Sequence, residues 1–209
     1  MNPLFINDQK LMEEYPILAG IDEAGRGPLA GPVVIASVIL KPEWEHPMVR
    51  DSKKLTEPVR ESLYEIIIQN SLSYHIEIIP PKIIDEMNIL QATLMGMRIC
   101  AEKLVIQPDL CIIDGNKIPA NMPYPSQSVI KGDGTHACIA AASILAKVTR
   151  DRIMIAMDAQ YPGYGFAHHK GYPTKEHMEA IEKLGVLKEH RQSYAPISQL
   201  TFRFDSANN

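Results

Sequence analysis

The stretch Ala19-Gly20-Ile21-Asp22-Glu23-Ala24-Gly25-Arg26-Gly27-Pro28-Leu29-Ala30-Gly31-Pro32 decides how the rest of the chain is read. An apolar run, Ile17 to Ile21, delivers two adjacent carboxylates, and a glycine-rich turn holding one arginine follows. A second apolar run, Val33 to Leu40, leaves on the far side. Val and Ile bounded by turn residues predict strand, turn, strand. An Asp-Glu pair alone would be an ordinary exposed strand end. Held together, two such acids must be protonated, separated or neutralised, and a hard divalent cation is the usual neutraliser for oxygen ligands. Gly25, Gly27 and Gly31 offer backbone that a ligand can approach closely, and Arg26 among them suits a phosphate. The spacing is not a dinucleotide fingerprint. That motif must open a helix, whereas Pro28 and Pro32 interrupt here and a β-rich run follows. No Gly-Lys-Ser or Gly-Lys-Thr occurs, which excludes a Walker loop.

Working outward, 209 residues suffice for a sizeable core, and 45% hydrophobic with 22% charged residues is ordinary globular composition. Cys100, Cys111 and Cys138 sit in apolar contexts without metal spacing, as buried reduced thiols of a cytoplasmic protein would. Met1 to Tyr15 carries acids and no apolar signal segment. No apolar run approaches the about 18 residues of a membrane span, so a soluble protein without a membrane partner is expected. The net charge of −4 argues against a generic nucleic-acid binder. Lys147 to Arg191 nevertheless holds eight Lys/Arg against six Asp/Glu, leaving 13 against 19 elsewhere. A nucleic-acid surface would draw on that C-terminal third.

Along the chain, Asp51-Ser52-Lys53-Lys54-Leu55 reads as a polar loop, and Thr56 caps a helix that ends near Asn70. Tyr74 to Ile79 alternates as a strand, stopped by Pro80-Pro81. Asn88 caps a helix with Leu90, Leu94, Met97, Ala101 and Leu104 as its apolar stripe. Asp109 to Ile113 is a continuous apolar strand, of the kind found in a sheet covered on both faces, and it runs into Asp114-Gly115. Ser126 to Ile130 is another strand, closed by Lys131-Gly132-Asp133-Gly134. A long helix spans about residues 136 to 158, and a capped helix follows from Thr174 to about Leu184. A polar, fraying tail is expected after Tyr194. The class is α/β with a mixed central sheet flanked by helices and a C-terminal helical extension. Residues 1–160 form the expected catalytic core, and 161–209 a loop and helical extension packed on it as one structural unit.

Three apolar strands thus end in or near acids beside glycines: Asp22-Glu23, Asp114-Gly115 and Gly132-Asp133-Gly134. Ligands gather at strand ends of open α/β sheets. Any one of these acids alone would serve as a turn former. Four oxygen donors without His or Cys beside them suit Mg²⁺ or Mn²⁺ rather than Zn²⁺. Such a cage can hold two cations about 3.5–4 Å apart around a phosphodiester. Successive strand residues point to opposite faces, so Asp22 and Glu23 share a site only where the chain leaves the strand.

These segments, with Asp51-Ser52-Lys53-Lys54-Leu55, Ile113-Asp114-Gly115-Asn116, Lys131-Gly132-Asp133, the run from Ala141 to Asp151 and His169-Lys170-Gly171-Tyr172-Pro173-Thr174, closely resemble ribonuclease HII, the bacterial type 2 ribonuclease H. The resemblance runs in order from about residue 17 to 197. It implies a ribonuclease H-like fold, Mg²⁺ or Mn²⁺ as cofactor, and endonucleolytic cutting of RNA in RNA–DNA hybrids. It further implies cutting on the 5′ side of ribonucleotides embedded in duplex DNA, leaving 3′-hydroxyl and 5′-phosphate ends, as ribonucleotide excision in replication and repair requires. By the same resemblance Asp22, Glu23, Asp114 and Asp133 are the metal-binding catalytic acids. Gly25, Arg26 and Gly27 resemble the segment that reads the 2′-hydroxyl and adjoining phosphate, and Tyr172 the tyrosine stacked on the junction sugar. Lys53, Lys170, His190 and Arg191 are the implied phosphate contacts. One departure is Gly134, where many members carry a serine.

Tyr161, Tyr164 and Phe166 read as loop packing, since hybrid recognition needs no unstacked bases. His168-His169 lacks zinc spacing. Gln199-Leu200-Thr201-Phe202-Arg203-Phe204 loosely resembles short peptides that dock on sliding clamps. A monomer is expected.

Overall fold

The computed structural model describes residues 2–200, so the Thr201–Phe204 part of the suggested clamp peptide lies outside the described residues. Strands β1 (Leu18–Ala24) and β2 (Val33–Leu40) are the two runs flanking the glycine-rich turn, paired antiparallel with Ala24 opposite Val34. Strand β3 (Ser71–Ile79) adds antiparallel to β2. On the other side of β1, β4 (Leu110–Asp114) and β5 (Ser126–Val129) add in parallel, giving the order β3-β2-β1-β4-β5. The sheet is mixed, as expected. All eight residues of β2 are buried, the outcome for a run with no polar face in a sheet covered on both sides.

Helices α1 (Pro3–Met12), α2 (Glu57–Gln69) and α5 (Ala137–Gln160) close one core against Val34, Ala36 and Val38. Helices α3 (Pro81–Met87) and α4 (Ile89–Glu102) close the other against Ala19, Ile21 and Ile35. Alternate β1 residues therefore face opposite layers. Gly20 sets how near α5 comes, because a Cβ there would lie 2.2 Å from the carbonyl carbon of Cys138. Ala140, Ala141 and Ala142, all fully buried, keep the helix slim where it packs on the sheet. Helices α6 (Phe166–His169) and α7 (Lys175–Leu184) follow, and a third apolar cluster joins Leu29 and Ala30 to Met154, Tyr164, Phe166, Ile181 and Ile197. Among the described residues no helix is long and apolar enough to cross a membrane.

Three features differ from the sequence reading. Residues 3–12 are helical, capped by the Asn2 side chain on the Leu4 amide. Buried Asp8 of this helix accepts from Cys138 N at 2.8 Å and pairs with His136 Nδ1 at 2.9 Å, tying α1 to the start of α5. Pro81 opens α3 rather than only stopping β3, since a first-turn proline lacks an N–H that would have no helical partner anyway. Residues 195–200, the described start of the tail expected to fray, are anchored, with Ile197 fully buried.

Candidate active site

The register Ile21↔Ile113 between parallel β1 and β4 brings Asp22 and Asp114 to the same end of neighbouring strands. Asp22, 4% exposed, points to the α5 layer, where nearby Ser143 favours its charged form. Burial, with Glu23 and Asp114 nearby, holds its carboxyl well above the usual carboxylate range. Glu23 takes the other face and meets Arg26 Nη1 at 3.4 Å. Burial and Asp114 also raise Glu23, against the opposing pull of Arg26. Asp133 stands not at a strand end but in a 3-10 turn, Gly132–Gly134, that follows β5. The Gly132 amide donates to Asp114 Oδ1 at 2.6 Å, fixing this turn to the β4 acid. Asp133 is raised by burial and by Asp51, while Lys53 Nζ approaches Asp133 Oδ2 at 3.4 Å. Asp114 thus acts on the other three acids.

Among the described residues no three of these groups already stand as a finished ligand set. The donor chemistry nevertheless fits a divalent cation. Among the described residues, buried Glu23 Oε2 has no hydrogen-bond partner, an uncompensated state that an oxygen-seeking ion would relieve.

Beside the acids lies a pocket of ≈ 290 Å³ lined by Glu23, Gly25, Arg26, Gly27, Lys53 and Tyr172, with Ser52, Ser143, Lys147 and Arg150 completing its wall. Two buried arginines shape it. Arg191 donates to the carbonyls of Gly25 (2.5 Å), Arg26 (2.8 Å) and Gly31 (3.0 Å), and to the Tyr194 hydroxyl (3.2 Å). Arg150 donates to the carbonyls of Pro32 (3.0 Å), Ala30 (3.1 Å) and Lys170 (3.0 Å). Burial draws the Arg150 guanidinium down to about 10, with Arg191 adding like-charge repulsion. The turn's carbonyls are therefore consumed on its inner side. Among the described residues the Arg26 and Gly27 amides have no protein acceptor. Gly25, at φ 98°, could not carry a side chain, since its Cβ would lie 2.0 Å from Arg150 Nε.

Arg191 and His190 correct the sequence expectation. Both are fully buried and their polar atoms are spent on protein groups, so neither is placed to touch a phosphate. Lys170 turns its ammonium onto the Ala167 carbonyl at 2.5 Å, while its own carbonyl is taken by Arg150. Arg26, Lys53, Gly27 and Tyr172 do meet at the pocket, with Tyr172 Cε1 3.6 Å from where a Gly27 Cβ would be.

Four residues of this region were not singled out from sequence: Asp51, Ser143, Lys147 and Arg150. Ser143 Oγ bonds Ser52 Oγ at 2.9 Å and lies near enough to Asp22 to favour its charged form, coupling the first acid to the Lys53 turn. Lys147, lowered chiefly by burial, pairs with Asp151 at 2.7 Å. The signal available was their four-residue spacing: Ser143, Lys147 and Asp151 fall on one face of a helix.

His177 and His190 are both drawn down from 6.5 to about 4, chiefly by burial. The unfolded chain therefore binds protons first. Stability from the neutral pair is complete above pH 6.5 and lost as pH falls toward 4. The buried carboxylates oppose this, since protonation relieves them, so the effect is read as a difference between proteins. Relative to His177→Asn, the wild type should lose up to about 1.4 kcal/mol per pH unit over that window. Denaturant titrations of both proteins from neutral pH downward check this, and parallel pH profiles would contradict it.

Against known proteins, the family model described as Ribonuclease HII matches residues 19–197. The chain is 55% identical over 184 residues to a Ribonuclease HII of Francisella philomiragia, covering 88% of this chain and 99% of that protein. Among solved structures, ribonuclease H2 from Pyrococcus horikoshii OT3 superimposes with a TM-score of 0.76 at 28% identity, covering 90% of this chain and 98% of that one. An RNase HII solved in complex with PCNA, from Archaeoglobus fulgidus, gives 0.69 at 25% identity, covering 85% and 95%.

Proposed function

The chain belongs to the ribonuclease HII family, a metal-dependent ribonuclease H acting on RNA–DNA hybrids, and from that premise we propose that it also incises duplex DNA 5′ to a lone ribonucleotide. The observation that carries this reading is that Glu23 lines the same ≈ 290 Å³ pocket as Gly25, Gly27 and Tyr172. The acid cluster and a cavity for one sugar are contiguous. Asp22, Glu23, Asp114 and Asp133 are the proposed holders of Mg²⁺ or Mn²⁺. When bound, the ions would supply activation of water and neutralisation of the leaving oxygen, the two-metal chemistry of phosphodiester hydrolysis.

The protein's own groups do the reading. The outward amides of Arg26 and Gly27 can donate to a ribose 2′-oxygen, which deoxyribose lacks. The Tyr172 ring, 44% exposed and beside Gly27, supplies an apolar face for the adjoining sugar. Arg26, Lys53 and Lys147 turn a wall of the pocket positive despite the net charge of −4, which favours a phosphate at that point. Burial would lower Lys53, but Asp133 and Asp22 outweigh it and keep the ammonium charged. The PCNA complex of the archaeal relative supports a sliding clamp as a partner. For this chain such a contact through Gln199–Phe204 remains a proposal, with its anchor at Leu200 on the third apolar cluster.

The test is a duplex carrying one ribonucleotide, incubated with Mg²⁺ or Mn²⁺, with the ends of the products mapped. A nick 5′ to the ribonucleotide leaving a 3′-hydroxyl is expected. Cutting of long hybrids without this nick would overturn the reading.

A further inference from the structure

Behind Tyr172 lies a group of buried rings that the hydrolysis does not use. His190 Nδ1 accepts from the Leu187 amide at 2.9 Å, so its proton must sit on Nε2. That Nε2 is 3.1 Å from His177 Nε2. His177 Nδ1 lies 3.0 Å from the Tyr172 carbonyl, which can only accept, so His177 carries its proton on Nδ1 and accepts through Nε2. The chain of donation runs in one direction, from His190 to His177 to the Tyr172 carbonyl. His169 is likewise fixed, donating from Nε2 to the Tyr164 carbonyl at 2.8 Å and accepting from the Gly171 amide at 3.1 Å. Its ring stacks on His177 at 4.4 Å, and Phe166 meets His177 edge-on at 5.4 Å.

The segment these rings hold is one that would not hold itself. Lys170 (φ 52°) and Gly171 (φ 83°) are both left-handed, a costly choice at a lysine. The Tyr172 backbone is pinned from both sides, its amide on the His169 carbonyl at 2.9 Å and its carbonyl by His177 and the Thr174 amide. The Gly171 carbonyl accepts from Leu29 at 2.8 Å, joining the segment to the glycine-rich turn. Only the tyrosine ring projects free.

We propose that the relay His190–His177–Tyr172 carbonyl is a positioning device that sets the tyrosine ring opposite Gly27 and thereby the preference for a lone ribonucleotide. This rests on the reading of Tyr172 as the residue facing the junction sugar. A long hybrid offers a ribose at every step and tolerates a displaced ring. A single ribonucleotide offers one productive register, so ring placement matters most there. His177 and His190 touch no substrate and act through Tyr172.

The experiment compares rates on a duplex with one ribonucleotide and on a long hybrid, for wild type, His177→Phe, His177→Asn and Tyr172→Ala. His177→Phe keeps an aromatic ring but ends the relay, and should lower the single-ribonucleotide to hybrid ratio by about tenfold. His177→Asn can still donate to the Tyr172 carbonyl and should keep the ratio within about threefold of wild type. Tyr172→Ala should lose at least as much as His177→Phe. If Tyr172→Ala lowers the ratio and His177→Phe does not, the relay is overturned while Tyr172 stands. If Tyr172→Ala leaves the ratio unchanged, the reading of Tyr172 fails and the relay with it. Equal losses on both substrates in His177→Phe and His177→Asn would also overturn the proposal. Should the variants not fold, ¹⁵N resonances of the wild-type imidazoles decide. Protons on His177 Nδ1, His190 Nε2 and His169 Nε2 are expected, and any other tautomer at His177 sinks the relay.

Discussion

Asp22→Asn is expected to reduce hydrolysis of a hybrid by about 10³-fold, a loss of roughly 4 kcal/mol of transition-state stabilisation, and yet to raise the melting temperature of the metal-free protein. The two effects share one cause. Asp22 is 4% exposed, lies within reach of the charges of Glu23 and Asp114, and is held well above its ordinary pKa chiefly by burial. A raised carboxylate pKa means that ionisation at neutral pH costs folding free energy, and a neutral amide removes that cost. A gain of about 2–4 °C would correspond to ~1 kcal/mol in a domain of this size. Adding Mg²⁺ or Mn²⁺ should stabilise the wild type, because an ion that binds only the folded state shifts the equilibrium toward it. The variant should gain less. Thermal melts with and without metal, beside cleavage assays, check all three statements. A variant that is inactive and also unstable would point to a structural role for Asp22 instead.

Arg191→Ala should be among the most damaging single changes in the chain, although Arg191 reaches neither the pocket's lining nor solvent. Its guanidinium supplies donors to Gly25, Arg26 and Gly31, and without it three carbonyls of the glycine-rich turn lose a partner. Breaking a buried charged network typically costs about 3–5 kcal/mol. Arg191→Lys separates stability from shape. An ammonium keeps the charge but cannot span three carbonyls with a planar fork, so the turn would be re-aimed rather than lost. We expect Arg191→Lys to fold, with its denaturation midpoint lowered, and to cut about 10²-fold more slowly, the scale on which small misplacements act. Unchanged cleavage by a folded Arg191→Lys would show that the turn does not need the fork.

Much of this architecture could be read from the sequence. The five strands and the helices around residues 57–69, 89–102, 137–160 and 175–184 followed from apolar period and caps, because burial and hydrogen bonding dictate both. Asp22, Glu23, Asp114 and Asp133 could be singled out because four acids recur together at three strand ends, although any one alone would pass for a turn former. Helix α1 was missed because its docking depends on Asp8 meeting a helix start 130 residues away. Arg191 and His190 were misread for a related reason. A basic residue in a basic segment looks solvent-facing, and nothing local reveals that its partners are carbonyls near residue 25. Spacing within a helix can expose Ser143 and Lys147; pairings across the whole chain cannot be read that way.

The bridge between Ala30 and His190, with the Arg191 fork beside it, has a consequence for the order in which the protein is made. Gly25 and its clamp are separated by 166 positions, so the glycine-rich turn leaves the ribosome long before the residue that shapes it. The sheet can close around its carboxylates during synthesis, whereas the final shape of the glycine-rich turn waits for the late segment to return.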